Sequence, residues 1–337
     1  MRKNVTQRTD GGDALRLSRR QFSLSMLGLL AATAGGPAFA SRWKPSRPVS
    51  AVVPYNPGGG ADILARFVAS QMGDALGTQM VVENKAGANG LLGANYVYGA
   101  RPDGTTLLLG AADNISIAPY IYKSAVRFEQ DGFIPVAAVA NMVFVLCSRK
   151  SSKPRNYAEA LADLKSRECT YGHWGPGSLP QVGMEMLRME EKIPELMAVP
   201  YGGAAPVMTA LMAGEIDYAF LPIPMLQGAL DTFTLYASGA TERWAVIGDV
   251  PTFREMGVPM TIETWFGYLA PPGTPEHIVQ TSGKIISDVV LRPEVQTRLE
   301  ELGYAPSRMT PREFAAFIPQ ENARWGEFVT ANGITAE

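Results

Sequence analysis

Short apolar runs alternate with amphipathic helical patterns along this chain, and this alternation restricts the fold more than any other feature. The apolar runs have the composition of β-strands, and apolar residues recur at the helical period between them. The predicted strands are VSAVVPY, TQMVVENK, TTLLLGAA and MVFVLCS, and the predicted helices include ADILARFVASQMGDAL and GLLGANYVYGA. Strands that alternate with helices predict an α/β fold with parallel sheets and with function at the strand ends.

Length and composition predict two domains with a substantial core. The chain has 337 residues, of which 46% are hydrophobic and 18% are charged. A chain of this length exceeds one typical domain. Its formal net charge is −2, and it has no stripe of Lys and Arg, so the sequence predicts no nucleic-acid partner.

Residues 1–40 have the pattern of an export signal. A basic leader containing Arg19-Arg20-Gln21-Phe22 precedes a weakly apolar stretch that ends in Ala38-Phe39-Ala40. The small residues Ala38 and Ala40 fit a cleavage site near Ala40. Paired arginines before a weakly apolar segment resemble a twin-arginine signal, and an ordinary Sec signal is the alternative. Both routes predict a periplasmic protein.

Removal of this signal leaves an acidic protein. Residues 1–40 hold six basic and two acidic side chains, so the remainder has 24 Lys and Arg against 30 Asp and Glu, a formal charge of −6. Long-range attraction therefore cannot bring an anion to this protein. Local donors and dipoles would have to bind it.

The two cysteines, Cys147 and Cys169, are predicted to be free and buried. MVFVLCS reads as a strand, residues 157–165 as a crossover helix and ECTYG as the next strand. In a right-handed β-α-β unit the cysteines would lie at opposite ends of parallel strands, beyond the roughly 7 Å Cα separation that a disulfide allows. The only histidines are His173 and His277, so we predict no metal site and no cofactor.

Three consecutive glycines stand between the first strand and the first helix, in VPYNPGGGADILARF at residues 53–67. The helix that begins there would direct free amides and the positive end of its dipole toward a carboxylate or phosphate. The loop lacks the Gly-Lys-Ser/Thr ending of a P-loop and the G-x-G-x-x-G of a dinucleotide site. Glycines that serve only a tight turn are the alternative. Residues 171–178 and 200–203 form two more Gly-rich turns before helices, which suggests a shared cleft.

Seven motifs occur in the order and spacing seen in Bug-type substrate-binding proteins, the periplasmic receptors of tripartite tricarboxylate transporters. They are VPYNPGGGADILAR, VVENKAGANGLLGANYV, RPDGTTLLLG, VPYGGAAPVMTALMAGEIDYAF, DVPTFREMG, ETWFGYLAPPGTP and LEELGYAPSRMTPREFAAFI. The resemblance covers residues 48–333. It implies a two-domain periplasmic-binding-protein fold, a type II Venus flytrap, that closes on a small carboxylate and delivers it to membrane permease subunits.

The resemblance also implies domain boundaries. Domain one would contain residues 41–140 and 265–337, and domain two residues 141–264. The chain would cross between the domains through PVAAVANMVFVLCS and ETWFGYLAPPG, and the cleft would close by a hinge at these crossings. The receptor is expected to be a monomer.

Ligand contacts transfer from the family onto three groups of residues. They are Tyr55, Gly59, Gly60 and Asp62 in the first loop, Ala112, Asp113 and Asn114 after TLLLG, and His173, Trp174, Gly177, Ser178, Tyr201 and Phe220 in domain two. Some of these residues have an alternative role. Asp62 would stabilise only its own helix, Tyr201 and Phe220 would be core aromatics, and His173 would be a surface loop residue.

The chain departs from the family at two places on the wall of domain two. His173-Trp174 replaces small or polar residues, and Leu221-Pro222 replaces an acidic and a polar residue. Trp174 would instead offer a flat apolar face. We therefore predict a carboxylate with an apolar or aromatic body, unless Trp174 points outward onto its own loop. His173 could donate to a second oxygen, so an aromatic dicarboxylate stays open.

An enzyme is the competing class of protein. The sequence has no G-x-S-x-G elbow, no recognisable triad around either histidine and no carboxylate pair within a motif, so an exported hydrolase is not supported. A receptor that signals to a sensor kinase is the remaining alternative to transport.

The export route can be tested through the paired arginines. Replacing Arg19 and Arg20 by lysine should leave the precursor in the cytoplasm if the twin-arginine route is used, because that route reads the arginine pair. Immunoblots of periplasmic and cytoplasmic fractions measure the effect. Undiminished periplasmic protein would indicate the Sec route.

Overall fold

The computed structural model describes residues 43–129 and 131–334. The export signal predicted at residues 1–40 lies outside these ranges. Within them, no helix combines the length and the apolar character needed to cross a membrane.

The described residues form a ten-stranded sheet flanked by helices. The strands are β1 (Val49–Val53), β2 (Met80–Asn84), β3 (Thr106–Ala111), β4 (Ile134–Arg149), β5 (Thr170–His173), β6 (Met197–Pro200), β7 (Tyr218–Pro222), β8 (Phe233–Ser238), β9 (Glu263–Ala270) and β10 (Tyr304–Pro306). The helices are α1 (Gly60–Leu76), α2 (Leu91–Tyr98), α3 (Ala118–Ile121), α4 (Tyr157–Ser166), α5 (Leu179–Glu190), α6 (Ala204–Ala213), α7 (Ile223–Leu226), α8 (Glu276–Val290), α9 (Pro293–Glu301) and α10 (Pro311–Ala331). A π-helical segment, Ala112–Ile117, connects β3 to α3.

The strand order is β2-β1-β3-β9-β4-β7-β5-β6, and β8 and β10 also pair with β4. The outer strands are parallel: β1 with β2 and β3, and β5 with β6 and β7. The central pairs β3–β9, β9–β4 and β4–β7 are antiparallel. The predicted α/β fold is therefore confirmed, and the predicted parallel pairing holds only away from the centre.

Strand β4 connects two α/β halves. Its residues 134–143 pair with β9, and its residues from Phe144 to Cys147 pair with β7. The chain returns to the first half beside this point, because the Phe144 amide donates to the Ile262 carbonyl and the Gly239 amide donates to the Phe144 carbonyl. This double crossing is that of a two-domain flytrap fold. The domain ranges 41–140 with 265–337 and 141–264 stay a prediction.

The cysteines are free and buried, as predicted, but for a different reason. Strand β7 lies between β4, which carries Cys147, and β5, which follows Cys169. Because β4 is antiparallel to β7 and β7 is parallel to β5, the expected parallel β-α-β unit is wrong. Two strands separated by a third lie about 10 Å apart, which is too far for a disulfide.

The C-terminal helix α10 supports the segment between β3 and α3. The Ser116 hydroxyl donates to Asn322 Oδ1 at 2.7 Å, and the Tyr120 hydroxyl donates to the Asn322 carbonyl at 3.1 Å. A capping box between Thr310 and Glu313 begins α10. The π-helical segment is therefore held from behind by a helix that comes from the far end of the sequence.

The second crossing depends on a glycine. A Cβ on Gly239 would lie 2.6 Å from the backbone nitrogen and oxygen of Ile262, so Gly239→Ala must push two backbone segments apart. We expect a loss of about 1–3 kcal/mol in the free energy of unfolding, measured by urea denaturation. Gly73→Ala is the matched control, because Gly73 lies inside α1 with open space around it. The control should raise the free energy of unfolding by about 0.5–1 kcal/mol. If both substitutions change the free energy of unfolding equally, the crossing does not require a glycine at position 239.

Candidate ligand-binding cleft

A cavity of about 350 Å³ lies between the two halves, where β4 passes from one to the other. The first half contributes the loops after β1 and β2 and the ends of β3 and β9. The second half contributes the loops after β5 and β6, the first turn of α6 and the last residue of β7. The lining residues are 54–57, 59–61, 86–90, 111, 113, 142, 144, 174, 201–206, 222, 264 and 266.

The glycine loop positions the first turn of α1 at this cavity. Gly58 has the left-handed φ of +83° that favours glycine, and Gly59 is the N-cap. The amides of Asp62 and Ile63 both donate to the Gly59 carbonyl, so the helical hydrogen bonds begin there. Gly59, Gly60 and Ala61 line the cavity, which places the positive end of the α1 dipole against it.

Asp62 lies behind the cavity wall and is used by the protein itself. Its carboxylate accepts hydrogen bonds from the Gly58 amide at 3.0 Å, from Arg66 Nε at 2.9 Å and from Asn84 Nδ2 at 2.9 Å. Burial opposes ionisation, but these hydrogen bonds lower the pKa of Asp62 below its usual value. In this arrangement Asp62 holds the loop in shape.

Asp113 is the buried acid of the cavity. It lies on the π-helical segment, lines the cavity and is only 5% exposed. The Leu179 amide, at the start of α5, donates to its Oδ1 at 3.2 Å. Burial raises the pKa of Asp113 to about 7, although hydrogen bonds from the Trp174 side chain and the Leu179 amide oppose this rise. Asp113 thus connects the first half to the second.

The neighbours of Asp113 fix the segment instead of lining the cavity. Asn114 Oδ1 accepts from the Ala111 amide at 2.8 Å, and the Tyr55 hydroxyl lies 3.5 Å from the same oxygen. The Ala112 amide donates to Thr264 Oγ1 at 3.1 Å. Tyr55 does line the cavity.

In the second half, Trp174 and Tyr201 line the cavity, whereas four other predicted residues do not. The Trp174 ring packs on Phe144 with 5.9 Å between centroids. His173 is buried, its Nδ1 accepts from the Gly175 amide at 3.2 Å, and burial lowers its pKa. Phe220 is a core residue that packs on Phe253. Gly177 and Ser178 lie directly before α5.

Sequence reasoning missed the loop at residues 86–90. Ala88, Asn89 and Gly90 all have left-handed φ values, 47°, 49° and 89°. Asn89 lines the cavity and is 6% exposed, and neither its Oδ1 nor its Nδ2 has a partner among the described residues. A buried amide without hydrogen-bond partners destabilises the folded state, so its place on a cavity wall indicates a group that a ligand could bond. The run AGANG is the available signal, but its pattern by itself predicts only a turn that leads into a helix.

The electrostatics of the cleft are unusual for an anion site. None of the described residues that line it is Lys, Arg or His, and Asp113 is the one acid among them. No group of three or more metal-ligating side chains occurs in the described part of the chain. Apart from Asp113, the polar groups of the described lining are therefore backbone amides at a helix start and uncharged polar side chains.

Comparisons with known proteins agree with this architecture. The model of the tripartite tricarboxylate transporter family receptor matches residues 64–334. The structure of periplasmic binding protein BugD is 30% identical, with a TM-score of 0.80 over 86% of this chain and 99% of that chain. MatC from Rhodopseudomonas palustris, with bound malate, is 33% identical, with a TM-score of 0.78 over 85% and 99% of the two chains. R. palustris Rpa4515, with adipate, is 27% identical, with a TM-score of 0.82 over 86% and 99%.

These similar proteins are solute-binding proteins and not enzymes. The family model spans most of the chain, and the cleft lies at the double crossing of a flytrap fold. The chain is therefore a Bug-type member of the tripartite tricarboxylate transporter receptor family.

Proposed function

We propose that this receptor is exported to the periplasm, binds a small carboxylate with an apolar body in the cleft, and delivers it to the permease subunits of a tripartite tricarboxylate transporter. One observation carries the proposal: the first turn of α1 faces a cavity whose other walls are largely apolar. The malate and adipate bound by two similar proteins support the carboxylate class.

Backbone groups at the start of α1 hold the carboxylate of the ligand. A hydrogen bond to a charged group contributes about 1.5–3 kcal/mol, and a helix dipole contributes up to about 2 kcal/mol in a partly buried site. Two or three such contacts suffice without a cationic side chain. Binding through short-range backbone contacts also agrees with the acidic net charge of the protein, which gives no long-range attraction for anions.

Apolar side chains hold the body of the ligand. Met142, Phe144, Trp174, Pro222 and Phe266 line the cavity on the side of the crossing strands and the second half. Burying about 100 Å² of apolar ligand surface there would contribute roughly 2.5 kcal/mol. A strongly polar tricarboxylate would gain little from these walls.

Closure of the cleft uses the two crossings as a hinge. The Asn56 side chain, in the loop after β1, donates to the Gly202 carbonyl, in the loop after β6. This contact spans the two halves at the cavity. We infer that it forms when the halves close and that the domain ranges predicted from the sequence describe the moving bodies.

A thermal-shift screen of residues 41–337 tests the function. Carboxylates with apolar bodies should raise the melting temperature, since a ligand at a hundredfold excess over Kd stabilises the folded state by about 2.7 kcal/mol. Gly59→Val should abolish the shift and retain the fold, because its φ of −81° admits a side chain and the added Cβ meets nothing closer than 3.8 Å. Gly73→Ala, on the same helix, is the control that keeps full affinity. No response to any carboxylate, or full affinity in Gly59→Val, would refute the assignment, and a best response to citrate would refute the apolar body.

Asn89 offers a second test of the same cleft. Asn89→Gly keeps the left-handed backbone and removes the unpartnered amide, so stability to urea should be unchanged or higher. Ligand affinity, measured by calorimetry, should fall about tenfold if the amide bonds the ligand. Unchanged affinity would show that Asn89 has no contact with the ligand.

A further inference from the structure

A second helix start, that of α5, lies behind the cavity wall and reaches it through Asp113. This helix is 12 residues long and begins at Leu179 after the N-cap Ser178. Three of the backbone positions at this start offer no free donor. The Leu179 amide donates to Asp113, Pro180 has no N–H, and the Gly177 amide donates to Gln181 Oε1 at 2.6 Å.

The acid at this helix start comes from the opposite half of the molecule. Asp113 follows β3, whereas α5 follows β5. The Ala112 amide bonds Thr264, and Ser116 bonds Asn322, so the segment that carries Asp113 is held on both sides. A carboxylate of the protein thus stands on the cavity wall at a helix N-terminus, where such a group is stabilised.

We infer that Asp113 acts as a built-in second carboxylate and makes this receptor selective for solutes with a single carboxylate. This inference rests on the proposed function and makes the ligand class narrower. The carboxylate of the solute binds at the start of α1, and the far end of the solute is neutral. The second carboxylate of a dicarboxylate would meet the Asp113 side chain, which already accepts the hydrogen bond from the first amide of α5.

Among the described residues, the cavity lining provides no cationic side chain that could compensate a second anion beside Asp113. The described lining has no Lys, Arg or His. His173 does not line the cavity, and its Nδ1 already accepts a hydrogen bond. The Ser178 hydroxyl is fully buried and does not line the cavity either. Two like charges in a site of low dielectric repel strongly, so a dicarboxylate must break the Asp113 contacts to bind.

Matched ligand pairs test this selectivity. Hexanoate and adipate share six carbons, and 4-methylbenzoate and terephthalate share a ring, so each pair differs by a methyl against a carboxylate. Calorimetry at about pH 8.5 keeps Asp113 ionised, since its pKa is about 7. In whichever pair binds the cleft, we expect the Kd of the monocarboxylate to be at least about tenfold lower than that of the dicarboxylate. This ratio corresponds to a difference of about 1.4 kcal/mol in binding free energy.

Two variants separate charge from space. Asp113→Asn removes the charge and keeps an acceptor for the Leu179 amide, and Asp113→Ala also opens room at the start of α5. The preference for the monocarboxylate should fall several-fold in the first variant and reverse in the second. Asp288→Asn removes the same charge from an exposed pair on α8 and should leave the preference unchanged.

The possible outcomes separate the inference from the proposed function. If the wild-type protein binds a dicarboxylate at least as tightly as the matched monocarboxylate, the inference is overturned and the proposed function stays in place. An Asp113→Asn variant with the wild-type preference also overturns it, even if Asp113→Ala fails to fold. Wild-type protein that binds no carboxylate in the wider screen refutes the proposed function itself.

Discussion

The structure depends on the backbone pairing of β4 at residues 143 and 144. Up to Val143 this strand bonds β9 of the first half, and from Phe144 it bonds β7 of the second half. The returning chain bonds Phe144 on its other edge, through Ile262 and Gly239. Every element that lines the cleft is positioned relative to this joint, because each half builds its own parallel strands outward from it.

In the proposed function, the cleft binds an anion through oriented backbone amides and not through a cationic side chain. A buried cation would need its own compensation, whereas amides at a helix start are already oriented by the fold and carry only partial charges. Asp62 contributes by fixing the loop: it accepts from Gly58, four residues earlier, and from Asn84 at the end of β2. The loop proposed to bind the anion is therefore preorganised by an acid that does not line the cavity.

Asp113 and Asn89 each have an unfavourable feature of a kind that is common at binding sites. Asp113 is buried without a cation, so its proton is held more tightly than in solvent. Asn89 is held in a left-handed conformation with an amide that has no partner among the described residues. Local strain and unsatisfied groups of this kind cluster at functional sites, since a ligand can relieve them.

The amino-acid sequence by itself determined the fold class, the succession of strands and helices, and the glycine loop at the start of α1. These features follow from local periodicity and turn chemistry, which act over a few residues. The tertiary structure alone decided the antiparallel centre of the sheet, because strand direction depends on partners that lie far apart in sequence. It also decided that Trp174 and Tyr201 face the cavity while His173 and Phe220 do not. The pairing of Asp113 with Leu179, 66 positions apart, arises only when the two halves meet, and no local pattern encodes such a contact.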